Sequence, residues 1–434
     1  MAITALLIIL VVLGALLVVG VPIAYAIGIA SLIAIVQTIP VDISVLTAAQ
    51  RTFVGMSNFG LTAIPFFILA GELMNQGGIA KRLINFVLAI VGRCPGSLLI
   101  TNVGTNALFG AISGSASAAA AAVGSMLKEG EKERNYDKAI SAATNGASAP
   151  SGLLIPPSNA LITYSLVSGG TSVAALFMAG YIPGIIWAIC CMVVAIFIAK
   201  KKGYAGIAGQ FSWMTLFKTT IEALPSLSLI IVVIGGIVGG VFTATEGAAI
   251  SVVYALFLSI CYRSVTFASF WALTIRSAKT SAMIIFLIGV SNILGWVMAF
   301  DMIPQAISSG LLSLTTDPIL ILLIMNIILL VAGTFMDVTP AILIFTPLFL
   351  PIIKEFGMSP VQFGLILVYN LCVGNITPPV GNTLFVAIKV GHTTLAKVMP
   401  YMLLFYAAIL VGLMLVTYIP AITMALPMAV GAVK

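Results

Sequence analysis

The chain has 434 residues, of which 61% are hydrophobic and only 7% charged, with a mean hydropathy of +1.22 and a formal net charge of +7. A soluble domain carries roughly 25% charged residues, and no globule of this composition could bury so much apolar surface, so soluble classes are excluded and the bilayer must act as solvent. The positive charge then reads as topological, because Lys and Arg collect on the cytoplasmic side, and no nucleic-acid partner is expected.

Apolar segments of about 20 residues recur along the chain, each long enough to cross the membrane core. Lipid leaves backbone groups no outside partner, so these segments are helices. A transmembrane barrel would alternate polar and apolar residues, and residues 2–19 and 319–331 do not. The first run lacks a basic leader region and continues into further apolar sequence, so it is expected to remain as a first span. The cysteines Cys94, Cys190, Cys191, Cys261 and Cys372 have no metal-ligand spacing and read as packing residues.

Basic residues cluster at Lys81, Arg82 and Arg93; at Lys128, Lys132, Arg134 and Lys138; at Lys200, Lys201, Lys202 and Lys218; at Arg263, Arg276 and Lys279; and at Lys389 and Lys397. These are expected on the cytoplasmic side, leaving Arg51, Lys354 and Lys434 outside the clusters. Arg93 and Lys128 then share a side, yet about 34 mostly apolar residues separate them, where one crossing needs about 20. Two half-crossings fit, as a helical hairpin with its tip at residues 113–117. The same reasoning gives residues 317–354 a hairpin that enters from the other side, with its tip at 333–337.

The chain is weakly repeated. Residues 20–28 (GVPIAYAIG) resemble 239–247 (GGVFTATEG), and 152–159 (GLLIPPSN) resemble 374–382 (GNITPPVGN), with Pro156 and Pro157 matching Pro378 and Pro379. Each half reads as two spans, an amphipathic stretch (43–58 and 265–278), a span, a hairpin, a broken span and a final span. The hairpins open to opposite sides, so the fold class expected is an all-α polytopic membrane protein with two inverted repeats, two re-entrant hairpins and two broken helices. That plan points to a secondary transporter with its site at the midplane.

Pro-Pro inside a membrane-length helix removes backbone donors and clashes with the preceding turn. Such a break is tolerated where protein or a polar cavity satisfies the freed carbonyls, and those carbonyls are hard oxygen ligands. The first tip, GAISGSASAAAA from Gly110, offers Ser113 and Ser117, which are four apart and expected to share a helical face, so that two hydroxyl oxygens converge. A cation site is expected from Ser113 and Ser117 with carbonyls of Gly152, Ile155 and Pro157. Its counterpart uses Gly333, Gly374, Thr377 and Val380. Neither set contains a carboxylate, which suits Na⁺ better than Ca²⁺ or Mg²⁺.

Glu72, Glu246 and Asp337 fall within or at the edge of spans, and carboxylates there are functional candidates. Glu72, near the end of a span, fits a structural role as well as a functional one. Glu246 follows a Gly-rich turn and is expected to cap a helix. Asp337 at the second tip is the strongest functional acid. His392 lies beside a lysine cluster and reads as a surface residue. No basic residue lies among these motifs, so an anionic substrate would be held by bound cations, half-helix N-termini and small polar groups. Ser115, Asn145, Asn159, Asp337, Thr339 and Asn382 are the candidates.

Six segments in order, GVPIA at 20–24, FFILAGELM at 66–74, the small-residue tip at 110–122, SGLLIPPS at 151–158, GVFTATEGAA at 240–249 and NITPPVGN at 375–382, resemble the large membrane subunit of tripartite ATP-independent periplasmic (TRAP) transporters. The resemblance spans nearly the whole chain. It implies an elevator-type fold, in which hairpins and broken helices move as one body against a scaffold linked by amphipathic arm helices. On that plan residues 1–92 are the first scaffold segment with its arm, 93–170 the first half of the transport domain, 171–316 further scaffold with the second arm, 317–392 the second half of the transport domain, and 393–434 a terminal helix. It further implies a small membrane subunit, a periplasmic substrate-binding protein, Na⁺-coupled import of an organic anion such as sialic acid or a C4-dicarboxylate, and the bacterial inner membrane. No additional helices precede the first repeat, so the small subunit is expected as a separate chain. A stand-alone sodium–dicarboxylate elevator symporter is the alternative. A membrane enzyme is disfavoured by the single isolated His and the lack of an Asp-rich motif, and an ATPase by the absence of a phosphate-binding Gly-x-x-x-x-Gly-Lys-Ser/Thr loop.

Overall fold

The computed structural model describes residues 2–206, 212–315 and 317–433. The expected boundary at residue 316, and Lys434, lie outside the described residues. Among these residues every regular element is a helix. In the first half α1 (Ala2–Val18) and α2 (Ile23–Val36) precede α3 (Val41–Met56), α4 (Ala63–Gln76) and α5 (Ile79–Val91). Then come α6 (Ser97–Ser113), α7 (Ala116–Glu133), α8 (Lys138–Ser148), the single turn α9 (Ser151–Leu154), α10 (Asn159–Val167) and the long α11 (Val173–Lys202).

The second half follows the same order. It has α12 (Trp213–Val238), α13 (Ala244–Cys261), α14 (Phe267–Phe300), α15 (Ile303–Leu314), α16 (Pro318–Gly333), α17 (Val338–Glu355), α18 (Pro360–Gly374), α19 (Asn382–Gly391) and α20 (Leu395–Tyr418), closed by α21 (Pro420–Ala429). Among the described residues six helices are long and apolar enough to cross a membrane, or seven if the bent pair of α3 and α4 counts as one span.

The halves differ at the amphipathic stretch. Asn58 accepts a hydrogen bond from Gly60 N and opens a short 3₁₀ turn, so α3 and α4 meet at a 57° bend. Residues 265–278 were expected as a separate stretch before a span. They instead run without a break into α14, one helix of 34 residues. No Asn-x-Gly turn interrupts that stretch, and at 1.5 Å per residue the helix reaches about 51 Å, well beyond the roughly 30 Å core.

Burial separates an inner body from an outer shell. Residues 139–148 of α8 and 361–374 of α18 are buried without interruption, the pattern of helices enclosed by others. By contrast Ile3, Leu10, Phe53, Trp213, Ile231, Phe257 and Trp271 on α1, α3, α12, α13 and α14 stay exposed, as lipid-facing side chains do. The inner body is stitched by polar contacts at depth. Trp187 Nε1 donates to Ala147 O at 2.8 Å, holding α11 to α8, and the Tyr164 hydroxyl donates to Pro360 O at 2.6 Å, joining α10 to the start of α18.

Candidate functional site

Both tips are made by residues that stop one helix and start another. Gly114, at φ +62°, ends α6 in the left-handed region that glycine adopts without penalty. Ser115 then caps α7, its hydroxyl accepting from Ala118 N at 3.3 Å. At the second tip Asp337 caps α17, with Oδ1 accepting from Val338 N at 2.8 Å. The breaks have the same construction. Ser158 caps α10, and Gly381, at φ +30°, precedes Asn382 at the start of α19. Pro156–Pro157 and Pro378–Pro379 are cis peptides within them.

Four helix N-termini, those of α7, α10, α17 and α19, therefore converge. They line one cavity of about 480 Å³ that contains Ser113, Ser115, Ser117, Asn159, Asp337, Thr339 and Asn382. Each N-terminus carries roughly half a positive charge from its unpaired N–H groups, which suits an anion beside them, and Glu72 and Asp337 are the carboxylates in the same lining. No Lys or Arg lines it. The polar wall is incompletely paired: Asn159 Oδ1, Asn375 Oδ1 and Thr383 Oγ1 are buried without a hydrogen-bond partner. Buried polar atoms rarely remain so without a ligand or water.

The C-termini gather behind this cavity. The end of α6 lies on α9, with Gly110 against Gly152, and the end of α16 lies on the end of α18, with Gly333 against Gly374. A Cβ on Gly110 would come within 2.6 Å of Gly152 Cα. The tips are also tied to the breaks: Asn159 Nδ2 donates to Gly114 O at 3.5 Å, and Val380 N donates to Thr334 O at 3.2 Å. In the second expected cation set Gly333 lies against Gly374, whereas beside the first break the contacts are made by Gly110 and Gly114 and not by Ser113 or Ser117. Gly152, Ile155, Pro157, Gly333, Gly374, Thr377 and Val380 do not line the cavity itself. Gly374 O already accepts from Thr377 N at 2.9 Å, and Thr377 Oγ1 donates to Val373 O at 2.7 Å.

Two sequence expectations need correction. Ser113 and Ser117 do not share a helical face, because Gly114 ends α6 between them. They are linked across the turn instead, Ser113 Oγ donating to Ser115 O at 3.4 Å and Ser115 Oγ lying 3.3 Å from Ser117 Oγ. Asn145 does not reach the tip cavity. Its Nδ2 donates to Ala120 O at 2.8 Å and its Oδ1 accepts from Asn106 at 3.0 Å, within a buried cluster with Asn102 and Ser148. It lines a separate, larger cavity of about 540 Å³ with Lys128, Glu131, Lys132, Lys138, Ser141 and His392. That cavity contains neither tip. Burial pushes the Glu131 carboxyl up to about 7. Glu246 does take part in a cap, with Thr243 as the N-cap residue and Glu246 as its partner three positions on.

Glu72 turns out to face the tip cavity, together with Asn75, Thr280, Asn375 and Thr383. Asn375 and Thr383 flank the second Pro-Pro break and are legible there as polar neighbours of a broken helix. Asn75, one turn beyond Glu72, is legible as a second polar residue on the same face. Nothing local marks Thr280.

The solved structure of the Alcanivorax borkumensis YdaH transporter superposes with a TM-score of 0.62 over 88% of this chain and 89% of that one, at 13% identity, a likeness of fold alone. The sialic acid TRAP transporter large permease protein SiaM of Vibrio cholerae is 36% identical over 413 residues, 94% of this chain and 95% of that protein. The C4-dicarboxylate TRAP transporter large permease protein DctM of Rhodobacter capsulatus is 38% identical over 439 residues, 96% of this chain and 97% of that protein. The family described as "Tripartite ATP-independent periplasmic transporter, DctM component" matches residues 10–422. The chain, with its membrane-length helices, belongs to that family, as its large membrane subunit.

Proposed function

We propose that this permease imports an organic anion of the sialic acid or C4-dicarboxylate class, driven by Na⁺, across the bacterial inner membrane. The observation that carries the reading is the convergence of four helix N-termini on one cavity without a basic side chain. The substrate carboxylate would sit among these N-termini with Ser115, Asn159, Thr339 and Asn382, while Asp337 would meet a hydroxyl or amide of the cargo. One Na⁺ would bind at Ser113, Ser117, Gly152, Ile155 and Pro157, and a second at Gly333, Gly374, Thr377 and Val380. Neutral hydroxyl and carbonyl oxygens at helix C-termini support a weakly held monovalent ion. Binding there would add positive charge behind the cavity and draw the anion in.

The matching helix order of the two halves supports two inverted repeats. The enclosed α6–α10 and α16–α19 support a transport body, in residues 93–170 and 317–392, that moves as an elevator against scaffold segments 1–92 and 171–316 with residues 393–434. A small membrane subunit and a periplasmic binding protein complete the system, as the family implies.

Uptake into proteoliposomes that contain this chain with its small subunit tests the reading. Labelled succinate and N-acetylneuraminate are offered with an inward Na⁺ gradient, with and without the binding protein. Accumulation that needs both Na⁺ and the binding protein is expected. Accumulation without the binding protein points to a stand-alone symporter, and accumulation without Na⁺ removes both cation sites.

A further inference from the structure

Glu72 and Asn75 belong to two cavities at once. They line the tip cavity, and they also line a neighbouring pocket of about 310 Å³ with Gln76, Ser269, Ala272, Leu273 and Arg276. The second pocket therefore adjoins the site, with these two side chains as the shared wall. Arg276 Nη1 lies 3.7 Å from Glu72 Oε2, and 69% of the Arg276 side chain is exposed, against 27% for Glu72. Arg276 stands one turn before Thr280 on α14, and Thr280 lines the tip cavity. A single face of α14 thus runs from the site to a cation. Beside Glu72, Gly71 packs on the first tip so tightly that a Cβ there would come within 2.7 Å of Ser113 O. The ion pair therefore adjoins the element that holds the proposed cargo and its first cation.

An anion that leaves the tip cavity by this route exchanges dispersed helix dipoles for one full positive charge. That charge is already matched with a carboxylate, so a departing anion must compete with Glu72 for Arg276. We infer that Arg276 is the exit-side docking residue for the carboxylate of the cargo and that Glu72 is the tethered competitor that displaces it into the cytoplasm. The pair would keep the exit from becoming a trap. Arg276 alone would hold the anion on a planar, doubly donating guanidinium, and Glu72 alone would repel it from the route. The inference rests on the transport reading above and adds to it a release step on the scaffold.

The test uses the complete complex of permease, small subunit and binding protein in proteoliposomes, with Na⁺-driven uptake of labelled succinate or N-acetylneuraminate. The readout is the internal concentration of the same unlabelled anion that halves uptake. Glu72→Gln is expected to lower that concentration about tenfold, because Arg276 is left free to retain the anion. Arg276→Gln is expected to raise it about tenfold, and Glu72→Gln with Arg276→Gln should match Arg276→Gln alone. A pair with only a structural role predicts the same direction for both single variants, and that result overturns the inference. So does an unchanged internal concentration in Arg276→Gln. Elution as a single folded species in detergent identifies variants that fail to assemble. Arg276→Lys keeps the charge without the fork, and its intermediate value is the expected check where Arg276→Gln folds poorly. A wild-type complex that accumulates neither anion overturns the transport reading together with this one, whereas a transporting wild type with unaltered variants overturns this one alone.

Discussion

Gly110 and Gly152 meet backbone to backbone where α6 crosses α9, and neither position has space for a Cβ. Gly333 and Gly374 make the same contact where α16 crosses the end of α18, a Cβ on Gly374 falling 2.5 Å from Gly333 Cα. Gly110→Ala or Gly374→Ala must push two helix ends apart. Overpacking of this kind costs about 1–3 kcal/mol, so both variants should lower the thermal midpoint of the detergent-solubilised protein and weaken the apparent Na⁺ affinity together. Gly14→Ala, where nothing lies within 4 Å of the added carbon, should change neither.

The turn between Ser113 and Ser117 holds the hydroxyls of the proposed first cation set. Ser113→Ala with Ser117→Ala removes two ligands while leaving Ser115, the cap of α7, in place. The Na⁺ concentration for half-maximal uptake should rise about tenfold or more, with folded yield within about a factor of two. An unchanged Na⁺ dependence removes that site.

Asp337 has two roles to separate, because its carboxylate caps α17 and also faces the cavity. Asn caps as well as Asp, whereas Ala loses about 1 kcal/mol. Asp337→Asn should therefore keep the thermal midpoint and lose uptake, and Asp337→Ala should lose both. Equal uptake by Asp337→Asn and wild type would limit Asp337 to the cap.

Glu131 predicts a pH effect on stability. It lies beyond the six candidate spans, and burial raises its pKa to about 7. An acid with a raised folded pKa contributes stability below its unfolded value, and that contribution is lost as pH rises through the folded value. The loss should run from about pH 4.5 to about pH 7, on the order of 3 kcal/mol. Lys128, Lys132 and Lys138 line the same cavity and act against it. Glu131→Gln should raise the thermal midpoint at pH 8 and leave it nearly unchanged at pH 5. A variant equally stabilised at both values would point to packing instead of charge.

Topology gives a separate check. Single cysteines at Lys132 and at Glu355 should be labelled from the cytoplasmic and periplasmic faces respectively by a membrane-impermeant maleimide. The opposite pattern inverts the proposed orientation.

Much of this arrangement was legible in the sequence because the devices that make it are local. A glycine or small residue at a tip and two prolines inside an apolar run are chemistry of adjacent residues, and they located both tips and both breaks. Ser113 and Ser117 show the limit. Their spacing of four suggests one helical face, but Gly114 turns left-handed between them, and spacing alone does not reveal a backbone angle. Asn145 fails for a different reason. Its place in a buried cluster with Asn102, Asn106 and Ser148 depends on how α6 and α8 pack. The contact of Glu72 with Arg276 joins residues on α4 and α14, and no local pattern announces a pair formed by tertiary packing over such a separation.

The convergence of helix ends on the tip cavity has one further consequence. The peptide groups that attract an anion to this pocket have no proton to lose, and its titratable lining is Glu72 and Asp337. Acetylation cannot neutralise those groups, and no change of pH across the physiological range alters their dipoles. A pH dependence of uptake would therefore report on the cargo or on Glu72 and Asp337. The helix ends would hold their partial charge constant while the cargo and these two carboxylates titrate.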